Sequence, residues 1–267
     1  MMKAVAVCLH LLLDASGSVD AAEHKLQREA TAAALTSPEF LARVEYEGGI
    51  AVAVAEFSLG VTTLADWTLV RSPVEAAVLA EMLLTAPRKE DHSTATGEAV
   101  LFAVAQMKRA PGCERQVIDV SSDGRVNAGT LMEDAVAMAR ANGVMVNALV
   151  IEEPTEPGLL DYYRDAVNGF ALPATWDTYA QSLKMKMTLE IANAPRRVEP
   201  DFAVVGYAPP YAVLHGGAVG GVHDRAPSWL VEVRNGRLPD ASVNSPDAAA
   251  TLVAGLALLG CACLARR

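Results

Sequence analysis

Three short segments of this chain combine carboxylate and hydroxyl side chains at positions that suit cation binding. The segments are Asp14-Ala15-Ser16-Gly17-Ser18, Ser93-Thr94-Ala95-Thr96-Gly97 and Asp123-Gly124. The candidate ligands within them are Asp14, Ser16, Ser18, Thr94 and Asp123. All of these side chains offer oxygen atoms, which hard cations such as Mg²⁺ prefer to nitrogen or sulfur. The set therefore predicts a site for Mg²⁺, or for the similar ions Mn²⁺ and Ca²⁺.

The elements around these segments predict that they meet in space. An apolar run, Ala4–Leu13, predicts a buried strand before the first segment, and a capping box at Asp20 and Glu23 predicts a helix after it. A second apolar run, 116–120, precedes Asp123. Because the carboxyl ends of parallel strands lie at one edge of a sheet, we expect these loops to lie together there.

Simple turn chemistry is the alternative explanation for each segment. Ser18 or Asp20 can cap the helix that follows, since helix N-termini favour such residues. Thr94 can cap the helix after Gly97, and Asp123 can form an Asx turn before Gly124. Together with Asp14 and Ser16, however, the three segments form a much more specific pattern than any one of them.

Alternation of strands and helices predicts the fold class. Strands are predicted at 4–13, 50–57, 67–70, 116–120, 144–151 and 170–172, and helices at 20–35, 38–44, 73–84, 97–109, 130–141, 158–167 and 175–193. This order is typical of an α/β protein with a doubly wound, mostly parallel sheet flanked by helices. The strands at 50–57 and 67–70 are too close for a crossover, so an antiparallel pair is expected at the sheet edge.

The charge and the cysteine content of the chain exclude some classes of function. The 267 residues carry a net charge of −10 and contain no basic stretch, which argues against nucleic-acid binding. The four cysteines, Cys8, Cys113, Cys261 and Cys263, show neither metal-binding spacing nor a disulfide framework, and Cys8 is expected to be a small core residue. His10 is expected to be hydrogen-bonded or to face an edge. Asp119, in the middle of an apolar strand, is expected either to be a buried carboxylate with a partner or to lie on the edge of a crossover, and the first is favoured.

The five candidate ligands resemble the metal-ion-dependent adhesion site of von Willebrand factor A domains. Asp14-x-Ser16-x-Ser18 matches the first segment of that site, Thr94 its threonine and Asp123 its distal aspartate. The sequence from about residue 4 to 193 also resembles a bacterial family of single A-domain proteins with no established function. The runs that carry this resemblance are 11–35, Arg115–Gly124 and Asp161-Tyr162-Tyr163-Arg164.

The resemblance implies a function. In A domains the serine and threonine hydroxyls ligate the ion, the aspartates act directly or through water, and an open position accepts a carboxylate from a partner. We therefore expect a protein-binding module whose partner is a protein offering an acidic residue. Two alternatives are a structural A domain whose ion only stabilises the fold, and a metal-assisted hydrolase that uses Ser16 or a metal-activated water. The hydrolase lacks a G-x-S-x-G elbow and a histidine placed as a base, so no enzyme is expected.

The two ends of the chain bear on its location. Lys3 and Ala4–Leu13 are also typical of a short signal peptide, but its cleavage would remove the strand that bears Asp14, so a strand is favoured. Residues 1–193 are predicted to form the domain and 194–243, rich in Pro and Gly, an irregular extension. Residues 244–267 contain the apolar stretch Ala248–Ala265, which predicts a membrane span of about 27 Å.

This last segment, with Pro246-Asp247 before it and Arg266-Arg267 after it, also resembles an exosortase-type sorting signal. Ser245 departs from the hydrophobic residue usual before Pro-Asp. We expect the protein at the cell envelope, attached to the membrane or sorted to the surface through this segment, although a clear export signal is not evident.

Overall fold

The computed structural model describes residues 5–88 and 92–193, which form a six-stranded sheet flanked by seven helices. The strands are β1 (Val5–Asp14), β2 (Ile50–Phe57), β3 (Val61–Val70), β4 (Cys113–Ser122), β5 (Met145–Ile151) and β6 (Ala171–Ala174). The helices are α1 (Ala21–Leu35), α2 (Pro38–Glu47), α3 (Pro73–Thr85), α4 (Thr96–Met107), α5 (Met132–Ala141), α6 (Leu159–Ala166) and α7 (Tyr179–Asn193). The predicted α/β fold class is confirmed.

The strand order is β3-β2-β1-β4-β5-β6, with β1 and β4 adjacent at the centre. Every neighbouring pair is parallel except β2 and β3, which form the antiparallel pair predicted at the edge. The chain leaves β1 toward β2 on one side, and later returns to β4 on the other. The loops after the adjacent strands β1 and β4 therefore lead to opposite sides of the sheet. The crevice between two such loops is where open α/β sheets bind their ligands.

Local sequence explains where the helices begin. Asp20 caps α1, accepting hydrogen bonds from the backbone nitrogens of Ala22 and Glu23, while the Glu23 carboxylate accepts one from the Asp20 nitrogen. Ser37 caps α2, which has proline at its first position and ends at Gly48 in the left-handed conformation, with φ of 74°. A side chain there would be strained, so glycine stops the helix before β2.

Helices cover both faces of the sheet and bury its centre. All of β2 and nearly all of β1 are buried, as expected for parallel strands with helices on both faces. On one face α1 packs against α3 and α7. On the other α4 packs against α5, and the core there includes Val100, Ala103, Val136 and Tyr163.

Several predicted boundaries differ from the observed ones. Strand β3 begins at Val61 instead of 67, because its half-exposed residues do not form a continuous apolar run. Strand β4 begins at Cys113 and ends at Ser122, three residues before and two after the predicted bounds of 116–120. Helix α4 begins at Thr96, earlier than predicted, whereas α7 begins later, at Tyr179.

The structure differs from the prediction in two respects, a disulfide and the environment of a histidine. Cys8 and Cys113 form a disulfide, with their Cα atoms 5.8 Å apart on adjacent strands β1 and β4, so the expectation of no disulfide is wrong. Their separation of 105 positions leaves no local sequence signal. His10 lies on the central strand, only 2% exposed, and its Nδ1 has no hydrogen-bond partner among the described residues.

Within the described residues, no helix is both long and apolar enough to cross a membrane. The predicted extension at 194–243 and the predicted membrane or sorting segment at 244–267 lie outside those residues. Both remain predictions, as does the domain boundary at 193.

Candidate functional site

Asp14, the last residue of β1, lies at the centre of the candidate site and is fully buried. Its Oδ1 accepts a hydrogen bond of 2.9 Å from the Ser16 backbone nitrogen, and its Oδ2 accepts one of 2.5 Å from Ser122 Oγ, at the end of β4. The Asp14 carbonyl accepts a 2.8 Å bond from the Gln27 side chain on α1. The carboxylate of Asp14 is therefore held by the loop after β1 and by the end of β4.

A chain of hydroxyls connects the first segment to the third. Ser16 Oγ lies 3.1 Å from Ser18 Oγ, and Ser18 Oγ donates a 2.7 Å hydrogen bond to Asp123 Oδ1. Ser16 and Asp123 are buried, whereas Ser18 is exposed. The loops after β1 and β4 thus bring four predicted side chains into one cluster, as the sequence predicts.

Thr94 completes the cluster from the loop before α4. A Cβ built on Gly124 would lie 3.5 Å from Thr94 Oγ1 and 4.0 Å from Ser18 Oγ, which places the three loops around one point. The Thr94 nitrogen donates a 2.7 Å bond to Asn127 Oδ1, and its carbonyl accepts one of 3.1 Å from the Asn127 nitrogen. The N-cap of α4 is Ala95, so Thr94 does not cap that helix.

Sequence reasoning missed the residues that support the cluster. Ser122 and Gln27 hold Asp14, Asn127 holds the Thr94 backbone, and the Tyr163 hydroxyl donates a 3.0 Å bond to the Gly124 carbonyl. Only Ser122 had a local signal, because it adjoins Asp123 at the end of a predicted strand. The others come from helices or turns whose positions depend on packing.

The two carboxylates favour a positive ligand. Burial raises the pKa of Asp14 above its ordinary value, despite the hydrogen bonds from Ser122 and Ser16. Burial, reinforced by the charge of Asp14, raises the pKa of Asp123 to about 7. A cation between these groups would offset both effects, because it stabilises their charged forms.

The donor chemistry fits a hard cation. The cluster offers only carboxylate and hydroxyl oxygens, and no group of three or more His, Cys, Asp or Glu side chains within the described residues forms a site of the zinc type. We find that the residues present suit Mg²⁺ better than a softer metal.

The cluster opens into a cleft of about 300 Å³. Its lining includes Ser18, Thr94 and Asp123 from the cluster, together with Glu23, His92, Gly124, Arg125, Asn127, Glu153, Thr155, Glu156 and Trp176. His92 also lies against Gly17, since a Cβ built there would be 3.1 Å from His92 Nδ1. A histidine therefore lies beside the cluster.

A family model for DUF1194, proteins of unknown function, matches residues 4–195. The chain belongs to this family. No curated protein matches the chain in sequence. The matched region contains all of the residues that the structure describes. It agrees with the predicted resemblance to a family of single A-domain proteins with no established function.

Solved structures with the same fold are distant in sequence. Proximal thread matrix protein 1 from the mussel byssus, with a zinc-occupied MIDAS motif, is 15% identical with a TM-score of 0.53, and the match covers 70% of this chain and 46% of that one. A von Willebrand factor type A structure from Catenulispora acidiphila is 19% identical with a TM-score of 0.53, and the match covers 70% and 43%.

The von Willebrand factor domain of the type V pili tip protein Mfa5 from Porphyromonas gingivalis is 10% identical. Its TM-score is 0.54, and the match covers 75% of this chain and 100% of that one. The DUF1194 chain spans less than half of the mussel protein and of the Catenulispora protein. These similarities establish that the domain has the von Willebrand factor A fold.

Proposed function

We propose that this DUF1194 domain binds a divalent cation, Mg²⁺ or the similar Mn²⁺ or Ca²⁺, and through it captures a carboxylate of a partner protein. The ligands would be Asp14, Ser16, Ser18, Thr94 and Asp123. The observation that carries this proposal is the convergence of these five oxygen-bearing side chains from three loops, with Ser18, Thr94 and Asp123 lining an open cleft.

The number and charge of the donors favour capture of an acidic group. Mg²⁺ takes about six oxygen ligands in octahedral geometry and keeps some of them as water. Five protein oxygens would leave one position for water or an external carboxylate. Because three of the five donors are neutral hydroxyls, the ion would keep much of its positive charge for that ligand.

The cleft itself is acidic, which makes a cation necessary for this mode of binding. Glu23, Glu153 and Glu156 line it, and the guanidinium of Arg125 pairs with Glu156 at 3.1 Å. An acidic partner would be repelled from this surface unless a cation lay in the cluster. We therefore expect partner binding to disappear completely with chelator.

A cell-envelope location is consistent with the covalent structure. Disulfides persist in oxidising compartments and are rare in the cytosol, so the Cys8–Cys113 bond favours a location outside it. The similarity to a pili tip protein supports the same location and a protein partner. Membrane attachment through residues 244–267 remains a separate prediction.

Thermal or chemical unfolding with and without metal tests the cation site. A ligand at 100 times its dissociation constant adds about 2.7 kcal/mol to the free energy of unfolding. We expect Mg²⁺ or Mn²⁺ to stabilise the wild type and Glu45→Gln, which removes one charge from an exposed position on α2 that does not line the cleft. Asp123→Asn should lose the gain. A melting temperature of the wild type that chelator leaves unchanged would overturn the proposal.

A crosslinking pull-down from native membranes, with and without chelator, tests the partner. Binding that requires the metal supports capture of a carboxylate. If the metal stabilises the domain but no partner depends on it, the ion has only a structural role.

A metal-assisted hydrolase is the second candidate, favoured by the position of His92 in the cleft. Turnover of ester and phosphoester substrates by the metal-loaded protein, lost in His92→Ala, would support it. We expect no turnover.

A further inference from the structure

A second group of charged side chains is buried on the sheet face covered by α7. Lys186 and Glu190, one turn apart on α7, are 0% and 1% exposed, and Asp119 on β4 is 2% exposed. Asn147 on β5 is also buried beside them. None of these residues belongs to the cation cluster, and the proposed function does not use them.

The Lys186 amine contacts both carboxylates. Its Nζ forms an ion pair with Asp119 Oδ1 and donates a 2.6 Å hydrogen bond to Glu190 Oε1. Asn147 Nδ2 donates a 3.0 Å bond to the same Glu190 oxygen. The contact with Asp119 lacks hydrogen-bond alignment, and neither Asp119 oxygen accepts a hydrogen bond among the described residues.

The surroundings of these groups are apolar and closed to water. The Phe170 ring centroid lies 5.9 Å from Lys186 Nζ, and the cluster is closed to solvent. Burial, together with the charge of Asp119, raises the pKa of Glu190 well above its usual range. Removing an ammonium and a carboxylate from water is costly, so a reaction that converts the buried pair of Lys186 and Asp119 into a neutral group is favoured.

We propose that Lys186 and Asp119 condense to an intramolecular isopeptide bond, with Glu190 as the group that transfers protons between them. The neutral Lys186 amine attacks Cγ of Asp119. The new bond joins Nζ to Cγ, and the bond between Cγ and one Oδ breaks. That oxygen departs as water.

The reaction balances without an added reagent. Of the three protons on the Lys186 ammonium, one remains on the amide nitrogen and two leave with the oxygen as water. Glu190 accepts a proton from Nζ and gives one to the departing oxygen, so it ends in its initial state. The charged pair becomes a neutral amide, which removes the desolvation cost of two buried charges.

The bond would connect α7 to the central strand β4. Helix α7 ends the described part of the domain, and the remaining 74 residues of the chain follow it. A covalent link would therefore hold α7 against the sheet even when force acts on the chain beyond it. Together with the Cys8–Cys113 disulfide, it would give β4 two covalent cross-links.

The mass of the full-length chain, reduced and alkylated, tests this directly. We expect the purified wild type to be lighter than its sequence mass by one water. After trypsin, peptide 116–125 should be joined to peptide 185–196, with no cleavage after Lys186. Lys186→Arg keeps the positive charge but lacks the amine nucleophile, and it should show the full sequence mass.

Other results of these mass measurements would contradict the proposal or the role of Glu190 in it. The full sequence mass in folded wild type overturns the proposal, even if Lys186→Arg fails to fold. Loss of water within one of the two peptides, without a link between them, also overturns it. Glu190→Gln cannot transfer the proton. We therefore expect most molecules of this variant to lack the bond and to show the full sequence mass. Complete bond formation in that variant would remove Glu190 from the mechanism.

Discussion

Asp14 and Asp123 differ in their structural roles, although both are candidate ligands. Asp14 is fully buried and accepts hydrogen bonds from the Ser16 backbone and Ser122. Its replacement by alanine would leave those donors unsatisfied, which costs roughly 1–3 kcal/mol. Asp123 lies at the cleft and accepts its hydrogen bond from exposed Ser18. Asp123 is therefore the better position for separating metal binding from folding.

Thr94 offers a second test at the residue scale. Its backbone, not its hydroxyl, forms the pair of hydrogen bonds with Asn127. Thr94→Ala should therefore change the free energy of unfolding by less than about 1 kcal/mol while weakening metal-dependent partner binding. Thr94→Ser keeps the hydroxyl and should bind as the wild type does. Equal loss of stability and binding in Thr94→Ala would contradict a ligand role.

His10 makes stability depend on pH. Burial lowers its pKa to about 4, from 6.5 in the unfolded chain, and the edges of Trp67 and Phe102 surround it. The unfolded chain therefore binds a proton that the folded domain does not. The contribution is complete above pH 6.5 and is lost as the pH falls toward 4, by at most roughly 3 kcal/mol.

Denaturant unfolding at pH 7.5 and pH 4.5 measures this effect. We expect the wild type to lose more stability than His10→Leu on acidification, because leucine cannot bind the proton. Glu45→Gln, which leaves His10 in place, should lose as much as the wild type. Equal losses in the wild type and His10→Leu would show that folding does not lower the pKa of His10, which contradicts the prediction.

A buried ion cluster joins three elements near the first loop. Glu56, in β2, accepts bonds of 2.7 and 2.8 Å from Arg28 Nε and Nη2 on α1, and lies 2.7 Å from His24 Nε2. Arg28 also donates to the Ala86 carbonyl, just after α3. Burial opposes ionisation of Glu56, but His24 and Arg28 outweigh it and lower its pKa. The cluster therefore positions α1 against the sheet.

Removal of one partner from this cluster should destabilise the domain strongly. Glu56→Ala leaves the Arg28 charge buried without its carboxylate, at a cost of about 3–5 kcal/mol. Glu29→Ala removes the exposed pair with Lys25 on the same helix and should cost at most about 1 kcal/mol. Urea unfolding compares the two variants. Similar midpoints would mean that the buried cluster contributes no more than a surface pair.

The Cys8–Cys113 disulfide acts at the scale of the whole domain. It closes a loop of 105 positions that contains β2, β3 and four helices. Such a cross-link restricts the unfolded chain, and its removal costs roughly 2–5 kcal/mol. We expect Cys8→Ala/Cys113→Ala to unfold at lower denaturant concentration than the oxidised wild type. Reduction should lower the wild type to the level of the double variant and leave that variant unchanged.

The sequence alone determined the fold class and the five-residue cluster, for local physical reasons. Apolar runs and capping boxes, such as Asp20 with Glu23, depend on residues only a few positions apart. They can therefore be recognised directly in the amino-acid sequence. The five candidate ligands follow from the same logic, because strand ends in a parallel sheet lie at one edge. The start of α4 at Thr96 was predicted less accurately, because its N-cap residue, Ala95, has no side chain that can cap the helix.

Only the tertiary structure decided which distant residues meet. Parallel pairing of β1 with β4 brings Cys8 to Cys113 and Ser122 to Asp14, across more than 100 positions. The packing of α7 on the sheet brings Lys186 to Asp119, whose partner the sequence required but did not name. Side-chain contact across such distances depends on register and helix packing, which are properties of the assembled sheet and not of any local segment.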